Sequence, residues 1–261
     1  MIESRFPAGS FLVAVESQLR YFRRFLITIP GNARKLKFTS VNYVTKYRWD
    51  TFFLKEPETL AWIDDMEDGS TLWDVGANVG VYTIYFLAQN KNGKVVAFEP
   101  HPANIAGLID NLSSNDLLND RITIVSNPLY SDQSICNFNM HSTMVGDSNH
   151  TASKSASAAC FGSLTMTLET PLSYGLPCPD YLKVDVDGNE RDILQSADAI
   201  LANPKLKGIL IEIQFADDTE ASFILDKLNR HGFRETGRFD TNTRLGKDNS
   251  KKIHNVIFER A

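Results

Sequence analysis

The sequence predicts an α/β domain built on a doubly wound, mostly parallel sheet of about seven strands with helices on both faces. Three observations carry that expectation. From residue 71 onward, short β-rich runs alternate with longer helical patterns. The first run ends at a glycine-bearing turn, as it does where a parallel strand feeds a crossover helix. The chain, at 261 residues, is long enough to bury a core without disulfide or metal staples.

The elements are expected in the following order. Thr71 to Val75 is an apolar strand and Val79 to Gln89 a helix. Lys94 to Phe98 is the second strand, Pro102 to Asn115 a helix and Arg121 to Ser126 the third strand. Residues 141–162 contain Ser142, Ser148, Ser153, Ser155 and Ser157 with little apolar periodicity, so a mobile surface loop or insert is expected there. Leu164 to Leu168 would lead back as an extra strand. Tyr181 to Val186 alternates and ends in charge, and Glu190 to Leu201 follows as a helix. Gly208 to Gln214, Phe233 to Phe239 and Ile253 to Phe258 are the remaining strands, with a helix over Glu220 to Arg230.

Residues 1–55 read as a helical, basic extension before a catalytic domain spanning 56–261. Phe11 to Ile29 is rich in apolar residues, but Glu16, Arg20, Arg23 and Arg24 interrupt it. A spanning helix needs about 20 mostly apolar residues, and a signal peptide would not carry an acid in its apolar core. Arg20, Arg23, Arg24, Arg34, Lys35 and Lys37 form a basic cluster. It suits a helix packed on the domain or on a second subunit, or peripheral contact with an anionic membrane or partner.

A net charge of −5 gives no electrostatic case for nucleic acid as the main ligand. Cys136, Cys160 and Cys178 are odd in number and lack CxxC spacing, as expected of free thiols in a cytoplasmic protein. The five histidines show no ligand spacing, so no metal site is expected from them.

The chemistry concentrates at the strand ends, where open parallel sheets bind ligands. Asp74-Val75-Gly76-Ala77-Asn78-Val79-Gly80 closes the first strand. A dinucleotide fingerprint would place glycine at 76, 78 and 81, but Asn78 and Val81 stand at two of these, which disfavours a nucleotide-dependent oxidoreductase. Asp74 would repel pyrophosphate yet attract the ammonium of an amino-acid ligand. S-adenosylmethionine carries that ammonium beside a sulfonium and suits the turn better than NAD. Glu99, ending the second strand 19 positions after Gly80, matches the offset of about 20 at which an acid binds ribose hydroxyls.

These segments resemble those of the FkbM-type methyltransferases: Trp73 to Gly80, then Phe98-Glu99-Pro100-His101-Pro102, then Leu182 to Glu190. The resemblance runs from about Glu56 to Phe258. It implies a class I methyltransferase (Rossmann-like) fold, S-adenosylmethionine as methyl donor and an O-methyltransferase acting on a small-molecule, glycan or natural-product hydroxyl. By the same resemblance Asp74, Gly76, Ala77, Asn78 and Gly80 hold the methionine part, Glu99 the ribose, and Asn127 and Leu129 flank the adenine. Glu58 and Thr59 belong to the upstream part of the pattern. Asp187 is a departure, because the family usually carries Glu there.

Methyl transfer from a sulfonium needs alignment, and an alcohol acceptor must also lose a proton. Asp185 is the expected positioning group or base, with Lys183 and Glu212 as further catalytic candidates. Lys183 and Asp185 share a strand face and can form an ion pair. Asp187-Gly188-Asn189-Glu190 suits a turn that starts a helix. Asp185, Asp187 and Glu212 together also leave Mg²⁺ open as an alternative. A binding module without turnover would have no physical need for Asp74, Glu99 and Asp185 together.

Overall fold

A computed structural model describes residues 24–29, 34–240 and 252–261. It begins with an antiparallel hairpin of β1 (Arg24–Thr28) and β2 (Lys35–Thr39), followed by α1 (Tyr43–Asp50) and α2 (Pro57–Asp64). Next come β3 (Thr71–Val75), α3 (Val81–Gln89), β4 (Lys94–Phe98), α4 (Pro102–Ser114) and β5 (Ile122–Val125). A separate small sheet contains β6 (Ile135–Asn139), β7 (Thr151–Ser153) and β8 (Cys160–Leu164). The chain returns through α5 (Thr170–Ser173), β9 (Tyr181–Val184), α6 (Glu190–Gln195) and α7 (Asp198–Ala202). It ends with β10 (Gly208–Gln214), α8 (Asp218–Arg230), β11 (Phe233–Asp240) and β12 (Ile253–Arg260).

The central sheet has seven strands in the order β11-β12-β10-β9-β3-β4-β5. β12 alone runs against the rest, and the other neighbours are parallel. From β3 the chain winds outward through β4 and β5, then crosses back to β9 and β10. The order therefore reverses between β3 and β9, and ligands of such sheets bind at the carboxyl ends of the strands flanking that switch.

Strand alternation builds two cores. Leu72, Val95, Ala97 and Leu210 point to one face, against α2, α3 and α4. Trp73, Val75, Val96, Phe98, Leu182, Val184, Ile209 and Ile211 point to the other, against the helices α6 to α8. Asp74 and Lys183 are register partners on the first face, so a charged pair lies among those apolar neighbours.

Four expectations need correction. The basic segment was expected to be helical, but Arg24–Thr28 is a strand; the rest of that expected helix up to Arg23 lies outside the described residues. Alternating Phe25, Ile27, Leu36 and Phe38 suit a paired, half-buried hairpin. Phe38 stacks on Trp49 at 4.2 Å, and both join the core that contains Leu72 and Val95. The segment 141–162 is not a plain loop: β7 and part of β8 pair with β6, burying Cys136, Phe138 and Ala152. Leu164 ends β8, and the rest of the expected strand Leu164–Leu168 forms none of its own, only a bridge between Met166 and Leu129. The helix expected over 190–201 is two short ones; Ser196 Oγ donates to the Ile193 carbonyl at 3.2 Å, and such side-chain bonds compete with helix continuation.

Candidate active site

The turn after β3 forms the floor. Gly76 has φ +87°, and its N–H and that of Ala77 both donate to the Phe98 carbonyl at 3.0 Å. A Cβ on Gly76 would lie 1.8 Å from the Asp185 carbonyl oxygen, so the glycine is needed for close approach of two strand ends. Asn78, at φ +51°, is held in its left-handed conformation by its own contacts. Its Nδ2 donates to the Asp147 carbonyl at 2.7 Å, and its Oδ1 accepts from Val79 N–H at 2.9 Å. Gly80 serves packing: a Cβ there would sit 2.4 Å from Leu108 Cδ1.

Glu99, at the end of β4, accepts from Asn78 N–H and His101 N–H, each at 2.8 Å. Burial pushes its carboxyl up to about 7, against those two donors. His101 caps α4 by accepting from Asn104 N–H at its Nδ1, so its Nε2 carries the proton toward the Ser142 carbonyl 3.0 Å away. The His150 ring stacks on His101 at 4.3 Å. His150 Nδ1 accepts from His141 N–H, which leaves Nε2 as donor; that atom is buried with no partner among the described residues. Burial, then the neighbouring His101, push His150 down to about 4, so it is neutral near pH 7.

The third wall follows β9. Lys183, 1 % exposed, donates to Asp185 Oδ2 at 2.8 Å and lies 3.9 Å from Asp74 Oδ1. Despite the cost of burial, Lys183 and then Lys55 hold the Asp185 carboxyl below its usual range. Glu212 is pushed well above it, by burial first and then by the charges of Asp185, Glu190 and Asp187. Asp187, at φ +61°, accepts from Asn149 N–H at 2.7 Å and so ties the small sheet to this loop. Glu190 accepts from Val186 N–H and Gly188 N–H, each at 3.0 Å, and shapes the turn rather than facing a ligand.

Burial pushes Glu190 up to about 8 from an ordinary 4.5. Its folded value is the raised one, so its stabilising contribution is complete below about pH 4.5 and is lost as the pH rises toward 8. The stability advantage of wild type over Glu190→Gln should therefore shrink across that interval. Thermal melts of both proteins over the range check this, and a widening gap would contradict it.

These walls enclose a cleft of about 840 Å³ including its part open to solvent. Among the expected residues, Gly76, Asn78, Glu99, Asn127, Leu129, Asp185 and Glu212 line it. Asp74, Ala77, Gly80, Lys183, Glu58 and Thr59 do not. Asp74 is 1 % exposed beneath the floor, where its Oδ2 accepts from Thr83 Oγ1 at 2.6 Å. Lys183 reaches the cleft only through Asp185. Glu58 accepts from Asn255 Nδ2 at 3.2 Å, and Asn255 is the register partner of Glu212. Thr59 is fully buried in α2. Sequence reasoning missed Arg48, Lys55, Phe138 and His150, which also line the cleft but come from the N-terminal unit and the small sheet. Among the described residues no group of three or more His, Cys, Asp or Glu side chains is placed to hold a metal ion.

The sheet order, the switch point and the Gly76 turn define a class I methyltransferase fold. The sequence profile of the methyltransferase FkbM domain matches residues 74–235, and the chain belongs to that family, with S-adenosylmethionine as methyl donor. No protein of curated function matches the sequence. Among solved structures, an FkbM methyltransferase from Methylobacillus flagellatus KT superposes with a TM-score of 0.53 at 12% identity, over 96% of this chain and 60% of that one. Precorrin-6y C5,15-methyltransferase from Geobacter metallireducens GS-15 gives 0.47 at 16% identity, over 79% and 88%. An rRNA methylase from Streptococcus thermophilus gives 0.47 at 14%, over 78% and 94%. Among the described residues no helix is long and apolar enough to cross a membrane.

The cleft's chemistry fits the donor. Glu99 has two oxygens, each accepting a single backbone bond, which leaves lone pairs for ribose hydroxyls. Leu129, Pro128 and Phe98 supply an apolar wall.

Proposed function

We propose that the protein methylates a hydroxyl oxygen of a small-molecule or glycan acceptor, with Asp185 as the group that orients the hydroxyl and takes its proton. The observation that carries this reading is the state of Asp185. One carboxylate oxygen is held by Lys183 at 2.8 Å, and the residue lines the cleft at the switch point. In this reading Glu99 holds the ribose, Gly76 and Asn78 flank the methionine part, and Asn127 and Leu129 border the adenine. S-adenosylmethionine, when bound, supplies a methyl group already activated by its sulfonium.

Asp185 accepts a hydrogen bond from the acceptor hydroxyl and receives its proton as the new C–O bond forms and the C–S bond breaks. Lys183 fixes the carboxylate's direction and keeps it ionised. Burial and the neighbouring acids push the Glu212 carboxyl well above its ordinary range, and it lines the cleft beside Asp185. Asp185 and Asp187 give this end of the cleft an acidic lining, which opposes a phosphodiester acceptor and favours a neutral hydroxylated one.

Asp185→Asn is expected to lower kcat by about 10²-fold or more while S-adenosylmethionine affinity stays within a few-fold. Turnover against a panel of hydroxylated acceptors, paired with calorimetry, checks this. An unchanged rate removes Asp185 from the chemistry, and a product methylated on nitrogen or on RNA removes the acceptor class.

A further inference from the structure

Arg48 is the cation of the cleft that has no anion. Its Nε donates to the Gly146 carbonyl at 2.7 Å. Of the five guanidinium N–H donors, four remain on the two terminal nitrogens. Among the described residues no carboxylate lies within ion-pair distance of them. The other two cations at this end are paired: Lys183 with Asp185 and Asp74, and Lys55 with Glu56. Arg48 is half-buried and lines the same cleft as Gly76, Asn78 and Asp185.

Its position is built. The helix carrying it starts at a capping box, in which Thr45 N–H donates to Asn42 Oδ1 at 2.8 Å and Asn42 N–H to Thr45 Oγ1 at 3.2 Å. Asn42 Nδ2 also donates to the Val145 carbonyl at 2.8 Å. Gly146, which holds Arg48, is anchored by its N–H on Asn104 Oδ1 at 2.7 Å. The guanidinium is thus fixed along one edge, with its bidentate edge left for a ligand. Elsewhere the lining is acidic, through Glu99, Asp185, Asp187 and Glu212. An anionic group entering this cleft has Arg48 as its favourable place.

S-adenosylmethionine carries one carboxylate, on its methionine part. We propose that Arg48 holds that α-carboxylate, so that the N-terminal unit, lying before the matched family segment, completes the methyl-donor site. This rests on the reading that the cleft binds S-adenosylmethionine. It also assigns the amino-acid end of the donor to a residue other than Asp74, which is covered by the floor.

The test is calorimetry on the full chain with two probes that differ only in that carboxylate: S-adenosylmethionine and decarboxylated S-adenosylmethionine. Wild type should prefer the first. Arg48→Gln should weaken S-adenosylmethionine by roughly 10–100-fold and decarboxylated S-adenosylmethionine by no more than about 2-fold, erasing the preference. Arg48→Lys should restore part of it, because a point charge replaces a fork. Equal weakening of both probes would overturn the proposal and leave Arg48 as a brace for Gly146. Unchanged binding of both would overturn it in favour of an anionic acceptor. Failure of wild type to bind either probe would instead sink the methyl-donor reading on which the proposal depends.

Discussion

Gly76→Ala is expected to destabilise the protein by at least about 3 kcal/mol and to abolish measurable S-adenosylmethionine binding. Two independent penalties meet at this position. The backbone sits at φ +87°, where a residue with a Cβ is strained by about 1–3 kcal/mol. The new Cβ would also fall 1.8 Å from the Asp185 carbonyl oxygen and 2.8 Å from its carbon. Both obstacles are backbone, so no rotamer change relieves them. Separating the strand ends would break the bond from Asp185 N–H to the Val75 carbonyl and displace the N–H groups of Gly76 and Ala77 from Phe98. The same movement shifts the Asp185 carboxylate, so affinity and rate fall together. Gly80→Ala is the comparison: at φ +86° it carries the same backbone strain, but its obstacle is a side-chain end, Leu108 Cδ1, in place of backbone, so its loss should be smaller. Urea unfolding and calorimetry of both variants check the ranking. A Gly76→Ala protein that binds within about 3-fold of wild type would show that the tight approach of β3 and β9 is dispensable.

The central sheet was legible because each of its strands is an apolar or alternating run bounded by a turn or a charge. Thr71–Val75, Lys94–Phe98 and Gly208–Gln214 match their expected limits. The small sheet was not legible, because Ile135–Asn139 buries only Cys136 and Phe138, and its partners are short, small-residue segments. The site shows a comparable division. A motif names a segment, whereas strand alternation and turn geometry decide which of its members face the ligand. Asp74 and Gly80 fall inside the motif after β3, yet one is turned beneath the floor and the other packs against Leu108. Glu99 and Asp185 lie at or just beyond strand ends and were readable from that position. Arg48 and His150 reach the cleft only through long-range folding of α1 and the small sheet, and no local spacing marks them. A trace of Arg48 does exist in the sequence: from Ser17 to Trp49 the chain carries Lys and Arg but no Asp or Glu. That run announces a basic surface without saying which member turns inward.

Lys183→Met should lower stability by about 3 kcal/mol near pH 7, because it leaves the buried Asp74 and the half-buried Asp185 without their shared cation. Asp74, 1 % exposed, already has one oxygen with no hydrogen-bond partner among the described residues, and its other compensation is Thr83. Burial raises the Asp74 carboxyl against the pull of Lys183, so removing the ammonium raises it further. Asp185, now held low by Lys183, rises as well. In wild type the depressed Asp185 contributes stability that is present above its ordinary value near 3.8 and lost as the pH falls through its folded value. In the variant the Asp74 carboxyl is raised further and the Asp185 carboxyl is less depressed, so its stability relative to wild type improves as the pH drops. The deficit relative to wild type should therefore be largest near neutral pH and narrow toward about pH 4. A deficit independent of pH would point to lost packing, including the ammonium's place 5.0 Å from the Tyr82 ring, in preference to charge. The triple variant Asp74→Asn, Lys183→Met, Asp185→Asn separates the two further. It should recover much of the stability lost by Lys183→Met alone while remaining catalytically impaired, because no carboxylate is then left without its cation, whereas the reaction needs Asp185 ionised.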